Sequence, residues 1–263
     1  MTSISEMLPD GLYCWLVNLR CKLRGYKLKI AAAENGVGYK VLHDGDEFLI
    51  ARRNRYWYYK RGIASRLSVL AKQYELHHVS LSAGDRVIDC GANIGEIGAW
   101  AKQFDVDYTA FEPEPLEAQC CDVNAFNGTS KTNRVGLWHE NTTLKFFSKP
   151  DTADGSLIEI EDYTDVHELD VVTLASYLGK EAKKGIRLFK VEAEGAEPEV
   201  LQGAEPVLKY CDYITVDCGY ERGKEKQPTF NEVNEILNRH KFELVSENPN
   251  RMVYLFKRHD CAT

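Results

Sequence analysis

Two runs of residues in this 263-residue chain have the types and spacing to do chemistry. The first is Asp89-Cys-Gly-Ala-Asn-Ile-Gly95, a glycine turn placed where a strand hands over to a helix. Gly91 lets the backbone approach a ligand, and the helix expected after Gly95 offers unpaired N–H groups at its start. Glu112 follows Gly91 by 21 residues, the spacing at which a carboxylate accepts hydrogen bonds from both hydroxyls of a ribose. The dinucleotide fingerprint G-x-G-x-x-G is not met, because Asn93 stands where its second glycine belongs. That glycine admits a pyrophosphate, so its absence argues against NAD and FAD. Asp89 would repel a diphosphate but suits an ammonium group. An ammonium, a ribose and no phosphate describe S-adenosylmethionine, and Asp89, Gly91, Ala92, Asn93, Gly95, Glu112 and Pro113 are its candidate binding residues.

The second run is Lys190-Val-Glu-Ala-Glu-Gly195. Glu192 and Glu194 surround the end of a strand, where one can hold an acceptor hydroxyl or take its proton. Glu192 is favoured as the base, with Glu194 a second polar contact; the structural alternative is that both cap the next helix. Asp217 and Glu221 follow a further strand and are candidate acceptor contacts, although Glu221-Arg222 reads equally as a surface ion pair.

Positioning these groups requires strands alternating with helices. Arg86–Cys90, Tyr108–Phe111, Arg187–Val191 and Tyr213–Asp217 read as buried strands, and helices are expected at 94–103, 115–126, 196–208 and 229–240. Phe242–Ser246 and Met252–Phe256 read as a closing antiparallel pair. The pattern predicts an α/β doubly wound sheet with mixed edge strands. Residues 1–79 differ: a helix to about Arg24, a meander around Asp44-Gly45, and a helix near 64–74 form a small β-rich N-terminal unit, leaving 80–263 as the main domain.

Asp89-Cys-Gly-Ala-Asn-Ile-Gly95, Ala110-Phe-Glu-Pro113, Val172-Thr-Leu174, and Phe189-Lys-Val-Glu-Ala-Glu-Gly-Ala-Glu197 with Val200-Leu-Gln-Gly203 occur in the order and spacing of successive FkbM-family signatures. Over about residues 80–258 the chain resembles the FkbM methyltransferases; Asp217-Cys-Gly-Tyr-Glu-Arg-Gly223 resembles a segment of some members. The resemblance implies a Rossmann-like class I methyltransferase with a mixed seven-stranded sheet flanked by helices. It further implies methyl transfer from S-adenosylmethionine to hydroxyl oxygens of sugars or small metabolites. The family pattern carries Asp where this chain has Glu192, so the departure leaves a non-catalytic binding or regulatory protein as one alternative. An RNA or protein methyltransferase is another, disfavoured because Glu192-Ala-Glu-Gly195 replaces the Asn/Asp-Pro-Pro-aromatic run of many nitrogen methylases. Asp154-Gly-Ser156 matches a family segment near the cofactor, which makes Ser156 a candidate for the methionine carboxylate.

The first 80 residues hold 13 Lys and Arg against 7 Asp and Glu, whereas the remainder holds 20 against 33. Arg52-Arg-Asn-Arg-Tyr-Trp-Tyr-Tyr-Lys-Arg61 interleaves cations with aromatics, so Arg55 and Trp57 are candidates for a glycan or metabolite acceptor. A half-buried connection or single-strand nucleic-acid binding are the competing readings, with nucleic acid the weakest. No run is long enough to span a membrane, although a peripheral contact through 11–29 is open. Eight cysteines without a CxxC pair, and no secretory signal, point to a reducing cytoplasmic setting. His77 and His78 are adjacent, and in a helix or strand cannot share an ion, so no obligatory metal is expected.

Overall fold

The structure, a computed structural model, describes residues 8–34, 36–149, 155–161 and 163–259. Near its start α1 (Asp10–Leu23) turns Tyr13, Cys14, Val17 and Cys21 inward at helical spacing. They cover an antiparallel meander of β1 (Lys29–Ala32), β2 (Tyr39–His43) and β3 (Asp46–Ile50). The β2–β3 turn is Asp44-Gly45, both at positive φ, the conformation that matches the twist of a two-residue hairpin. Tyr56, Tyr59 and Ile63 complete this small core. The following helix α2 (Ile63–Gln73) crosses to the main body. There Leu70, Ala71, Tyr74, Leu76 and Val79 already pack with the large sheet, so the expected boundary at 79 falls inside a shared core.

The main body alternates β4 (Arg86–Cys90), α3 (Glu96–Ala101), β5 (Asp107–Phe111), α4 (Pro115–Phe126), β6 (Gly136–Leu137), β7 (Thr142–Ser148), β8 (Asp165–Val172), α5 (Leu174–Leu178) and β9 (Ile186–Val191). It continues through α6 (Glu197–Leu208), β10 (Cys211–Asp217), β11 (Tyr220–Arg222), β12 (Gln227–Pro228), α7 (Phe230–Arg239), β13 (Phe242–Asn248) and β14 (Val253–Arg258). The large sheet runs β13-β14-β10-β9-β4-β5; the last four are parallel, and β14 is antiparallel to both its neighbours. Alternate residues serve opposite faces, as the pleat demands. Ile88 and Phe189 meet α5, α6 and α7, whereas Val87 and Leu188 meet α2 and α3.

The sheet is six-stranded, one fewer than expected. Beyond β5 the seventh position is a single parallel bridge between Phe111 and Asn133, after which the chain leaves for a separate sheet ordered β6-β8-β7. Sequence reading assigned no strands at 142–148 and 165–172, because the connection between them is far longer than a hairpin loop, although the two pair antiparallel from Thr142–Val171 to Ser148–Asp165. Asp154 lies outside the described residues.

The N-terminal unit is fastened by a buried side chain. Asn124 of α4 accepts from the Leu49 N–H at 2.9 Å and donates to the Leu49 carbonyl at 2.7 Å, acting as a neighbouring strand would. It also donates to the Ile94 carbonyl in the glycine turn at 2.7 Å. Asn124→Ala orphans these buried groups and is expected to cost about 3 kcal/mol, read from denaturant unfolding. A loss below about 0.5 kcal/mol would mean that the two parts hold together without it.

Candidate active site

The order of strands reverses between β4 and β9, and in such sheets the crevice at the strands' carboxyl ends is the ligand site. A cavity of about 310 Å³ lies there, walled by the glycine turn, Glu112–Glu114, Glu192–Glu194, the β6–β8 sheet, and residues 51–74 of the N-terminal part. Gly91 has φ +74°, and a Cβ at this position would run into the Glu192 carbonyl oxygen, so the turn sits directly against the end of β9. The Gly91 and Ala92 amides both bond the Phe111 carbonyl at 3.0 Å, which closes the turn over β5. Gly95 bonds back to Ala92 at 2.9 Å.

Glu112 stands where a ribose carboxylate is expected. One oxygen accepts from the Asn93 N–H at 2.7 Å and the other from the Glu114 N–H at 2.9 Å. Burial pushes its pKa up to about 8 against those donors. Pro113 and Asn93 line the same wall, and Val135, Leu137, Phe146 and Leu157 give the cavity an apolar compartment beyond them.

Asp89 does not reach the cavity. It is fully buried, and its carboxylate is committed to the Lys190 ammonium at 3.0 Å and the Tyr108 hydroxyl at 2.6 Å. Lys190, itself 2% exposed, pairs also with Glu192 at 3.0 Å and donates to the Gly91 carbonyl at 2.6 Å. Burial opposes its charge, but Asp89 and Glu192 outweigh burial and hold its pKa above that of an ordinary lysine. Glu192 meets Lys190 on one side and Arg251, at 3.2 Å, on the other. Burial would raise its pKa; the two cations pull it below the usual carboxylate range. Such a carboxylate is ionised but a weak proton acceptor.

Arg251 comes from the turn between β13 and β14 and also pairs with Asp217 at 2.9 Å. Burial, then the Glu192 charge, push Asp217 up to about 6. Glu221 lines the cavity with its pKa pushed up to about 8, first by burial and then by Asp217 and Glu192. Glu194 also lines it, in a left-handed conformation at φ +48°. Glu197 holds this loop: one carboxylate oxygen accepts from Ala193 and Gly195 at 2.9 and 3.0 Å, and the other from the Thr229 hydroxyl at 2.9 Å.

The remaining expected site residues divide. Arg55 lines the cavity beside Arg52, Tyr58 and Tyr59. Trp57 does not; it packs on Tyr26 and lies under Lys60, Arg20 and Arg24. Arg222 is also outside the wall. It bonds Glu199 at 2.7 and 2.9 Å and the Gly195 carbonyl at 2.6 Å, so it braces α6 instead of pairing with Glu221. Ser156 reaches the wall, but its hydroxyl donates to the Glu194 carbonyl at 2.8 Å and accepts from the Ile158 N–H at 3.1 Å, which pins the loop. His77 and His78 lie on a 3-10 turn, not a helix or strand, and with Glu75 bring ligand atoms within 4.8 Å of one another, apart from the cavity wall.

Lys190, Arg251, Tyr74 and the Arg66–Glu96–Tyr59 cluster were not singled out by sequence reading. Arg66 bonds Glu96 at 2.7 and 2.9 Å, and Tyr59 donates to it at 2.6 Å, all on the cavity wall. Lys190 had a signal: a lone cation inside the apolar run Leu188-Phe-Lys-Val191, opposite Asp89 in register. Arg251 had none, because a turn arginine is ordinarily solvated.

A doubly wound sheet with a glycine turn and a ribose-type carboxylate at its switch point defines a Rossmann-like α/β enzyme of the class I methyltransferase kind. The family model described as Methyltransferase FkbM domain matches residues 89–244, more than half of the chain, and the protein belongs to that family of S-adenosylmethionine-dependent methyltransferases. Methyltransferase 1 of Beauveria bassiana (strain ARSEF 2860) is 28% identical over 145 residues, 45% of this chain and 58% of that protein. Among solved structures, the methyltransferase FkbM of Methylobacillus flagellatus KT is similar, with a TM-score of 0.46 and 18% identity over 74% of this chain and 52% of that one. Magnesium protoporphyrin IX methyltransferase of Synechocystis PCC 6803, solved with bound S-adenosylmethionine, gives a TM-score of 0.42 and 9% identity over 77% of this chain and 83% of that one. The chain thus spans between half and two thirds of the first two relatives.

Removing one partner from the buried ionic chain is expected to be far worse than removing two. Lys190→Met should cost about 3–5 kcal/mol, and the double variant with Asp89→Asn should recover part of that loss in chemical unfolding. Additive losses would show that the two charges do not depend on each other.

Proposed function

We propose that the protein methylates a hydroxyl of a sugar, glycan or small metabolite, the cofactor seated over β4 and β5 and the acceptor held against the wall formed by residues 51–74. The reading is carried by the convergence of Glu192, Glu194 and Glu221 on the cavity that Glu112 also lines. Oxygen acceptors need a proton removed as the new bond forms, and carboxylates perform that task.

The donor set fits S-adenosylmethionine. Each Glu112 oxygen accepts one backbone N–H and keeps lone-pair capacity for a ribose hydroxyl. The apolar compartment at Val135, Leu137 and Phe146 suits a base. With Asp89 committed to Lys190, the ammonium is assigned to carboxylates that line the cavity. Bound cofactor supplies the electrophilic methyl group. The chain orients the acceptor, excludes water and handles the proton.

The division of labour follows from charge. Glu192 is held ionised between Lys190 and Arg251 and orients the acceptor hydroxyl. Glu221, its pKa pushed up to about 8 by burial and by Asp217 and Glu192, takes the hydroxyl's proton; this moves the base from Glu192, where sequence reading placed it. Arg55 and Tyr58 present a cation and a ring face to the acceptor, with Arg52 held on Glu117 and Tyr59 on Glu96 behind them, which gives the N-terminal unit a recognition role.

Below about pH 8 Glu221 carries a proton, so turnover should rise with pH and level off above that value. Glu221→Gln should flatten the limb and lower kcat by roughly 10²-fold with cofactor affinity retained. An unchanged pH profile would remove Glu221 from the proton path.

Glu112→Gln keeps the shape but turns one of the two accepting oxygens into an amide donor, and calorimetry should show S-adenosylmethionine bound about tenfold more weakly. The acceptor class is tested by incubating the protein with labelled S-adenosylmethionine and nucleotide sugars, free glycans or RNA, then locating the label by mass spectrometry. Label on a sugar or metabolite oxygen supports the reading. Label on an RNA nitrogen overturns it, as does cofactor binding with no S-adenosylhomocysteine released from any acceptor.

A further inference from the structure

α1 carries two apolar faces. The inner one, Tyr13, Cys14, Val17 and Cys21, is buried on the meander. The outer one consists of Leu12, Trp15, Leu16, Leu19 and Leu23, between 40% and 79% exposed. At helical spacing these five fall in an arc of about 100°, a continuous stripe along the outside of one 14-residue helix. Single exposed apolar residues are ordinary, but a stripe of this size on one element marks a surface made to be covered.

Charge identifies the cover. Arg20 borders the stripe on one side and Lys22 on the other, and Arg24 follows at its end. Arg20 and Arg24 gather over the Trp57 ring at 5.5 and 5.9 Å, with Lys60 at 4.7 Å, so the basic flank is built jointly by α1 and the 52–61 segment. The sole acidic residue of α1, Asp10, is engaged by Tyr39 at 2.7 Å and Arg53 at 3.0 Å. Leucine and tryptophan between cations, without an acidic side chain on the outer face, describe a helix lying in the plane of an anionic bilayer surface. Such cations each contribute roughly 1 kcal/mol near acidic lipid. A second copy would instead bring Arg20, Lys22 and Arg24 against their own kind, which is unfavourable.

The helix is held in this orientation from its inner side. The Asn18 side chain accepts from the Ile30 N–H at 2.7 Å and donates to the Ile30 carbonyl at 2.9 Å, locking α1 to β1 with the stripe outward. Among the described residues no helix is long and apolar enough to cross a membrane, so the contact is in-plane. We infer that α1 is an in-plane anchor that docks the protein, basic N-terminal face down, on an anionic lipid surface.

Co-sedimentation of the full chain with vesicles tests this. At least about tenfold more protein should sediment with phosphatidylcholine–phosphatidylglycerol vesicles than with phosphatidylcholine alone, and added salt should reduce the difference. Leu19→Glu should abolish sedimentation while S-adenosylmethionine binding and the circular dichroism spectrum are kept. Lys22→Glu should weaken it about fivefold, and Val245→Gln, which alters an exposed apolar residue elsewhere, should leave it unchanged. Equal recovery from the two vesicle types, or none from either, overturns the inference. So does a dimer seen by light scattering that Leu19→Glu dissociates, because the stripe would then belong to a second copy.

Discussion

An ammonium group taken out of water costs several kcal/mol unless its charge is met by fixed partners, and Lys190 lies in the middle of the central sheet. Asp89 meets it from β4 and Glu192 from the end of its own strand, each at 3.0 Å. Its third N–H is shared between the carbonyls of Cys90 and Gly91, at 3.3 and 2.6 Å. One side chain therefore ties β4 to β9 in register, holds the glycine turn by its backbone, and sets the charge of the first carboxylate in the cavity. If the turn shifted, the ammonium would lose both carbonyls, so the backbone of the glycine turn is as constrained as the sheet beneath it.

That charge propagates. Glu192, once ionised by Lys190, attracts Arg251, and Arg251 in turn holds Asp217. The chain ends with more carboxylates than cations, and the excess is expressed at Glu221, which faces the cavity with no cation as strong as those beside Glu192. In the proposed function, a carboxyl poised near 8 beside one held ionised gives one site both an orienting group and a proton acceptor. The Asp-to-Glu departure at 192 fits this arrangement. The longer side chain can bridge the lysine of its own strand and the arginine of a distant turn, a task that spends its basicity on structure.

The parts of the fold legible in the sequence were those fixed by local periodicity. β4, α4, β9 and β10 lie where apolar runs and glycine or proline punctuation placed them, because strands buried on both faces leave few other readings. The place of the glycine turn and Glu112 on the cavity wall was legible for a related reason: both follow from spacing along the chain. Illegible were the features that depend on pairing across the fold. Asp89 looked like a ligand contact because its partner, Lys190, is separated from it by a hundred positions. Arg222 looked like the partner of Glu221 because they are neighbours, yet β11 directs adjacent side chains to opposite sides and sends Arg222 to Glu199.

The basic N-terminal part gains its meaning from the same geometry. The segment 52–61 is not one binding surface but a divider. Arg52, Arg55, Tyr58 and Tyr59 turn toward the cavity, while Trp57 and Lys60 turn toward α1. Behind it, Asn124 links the meander to the glycine turn, so α1, the meander and the glycine turn form one packed body. Cations on the two sides of this divider account for the charge asymmetry along the chain: one set faces the cavity and the other faces outward beside an apolar helix. A protein whose remaining surface is acidic would be turned by an anionic surface so that only this part approaches it. Orientation at the surface and acceptor selection would then be set by one segment of ten residues.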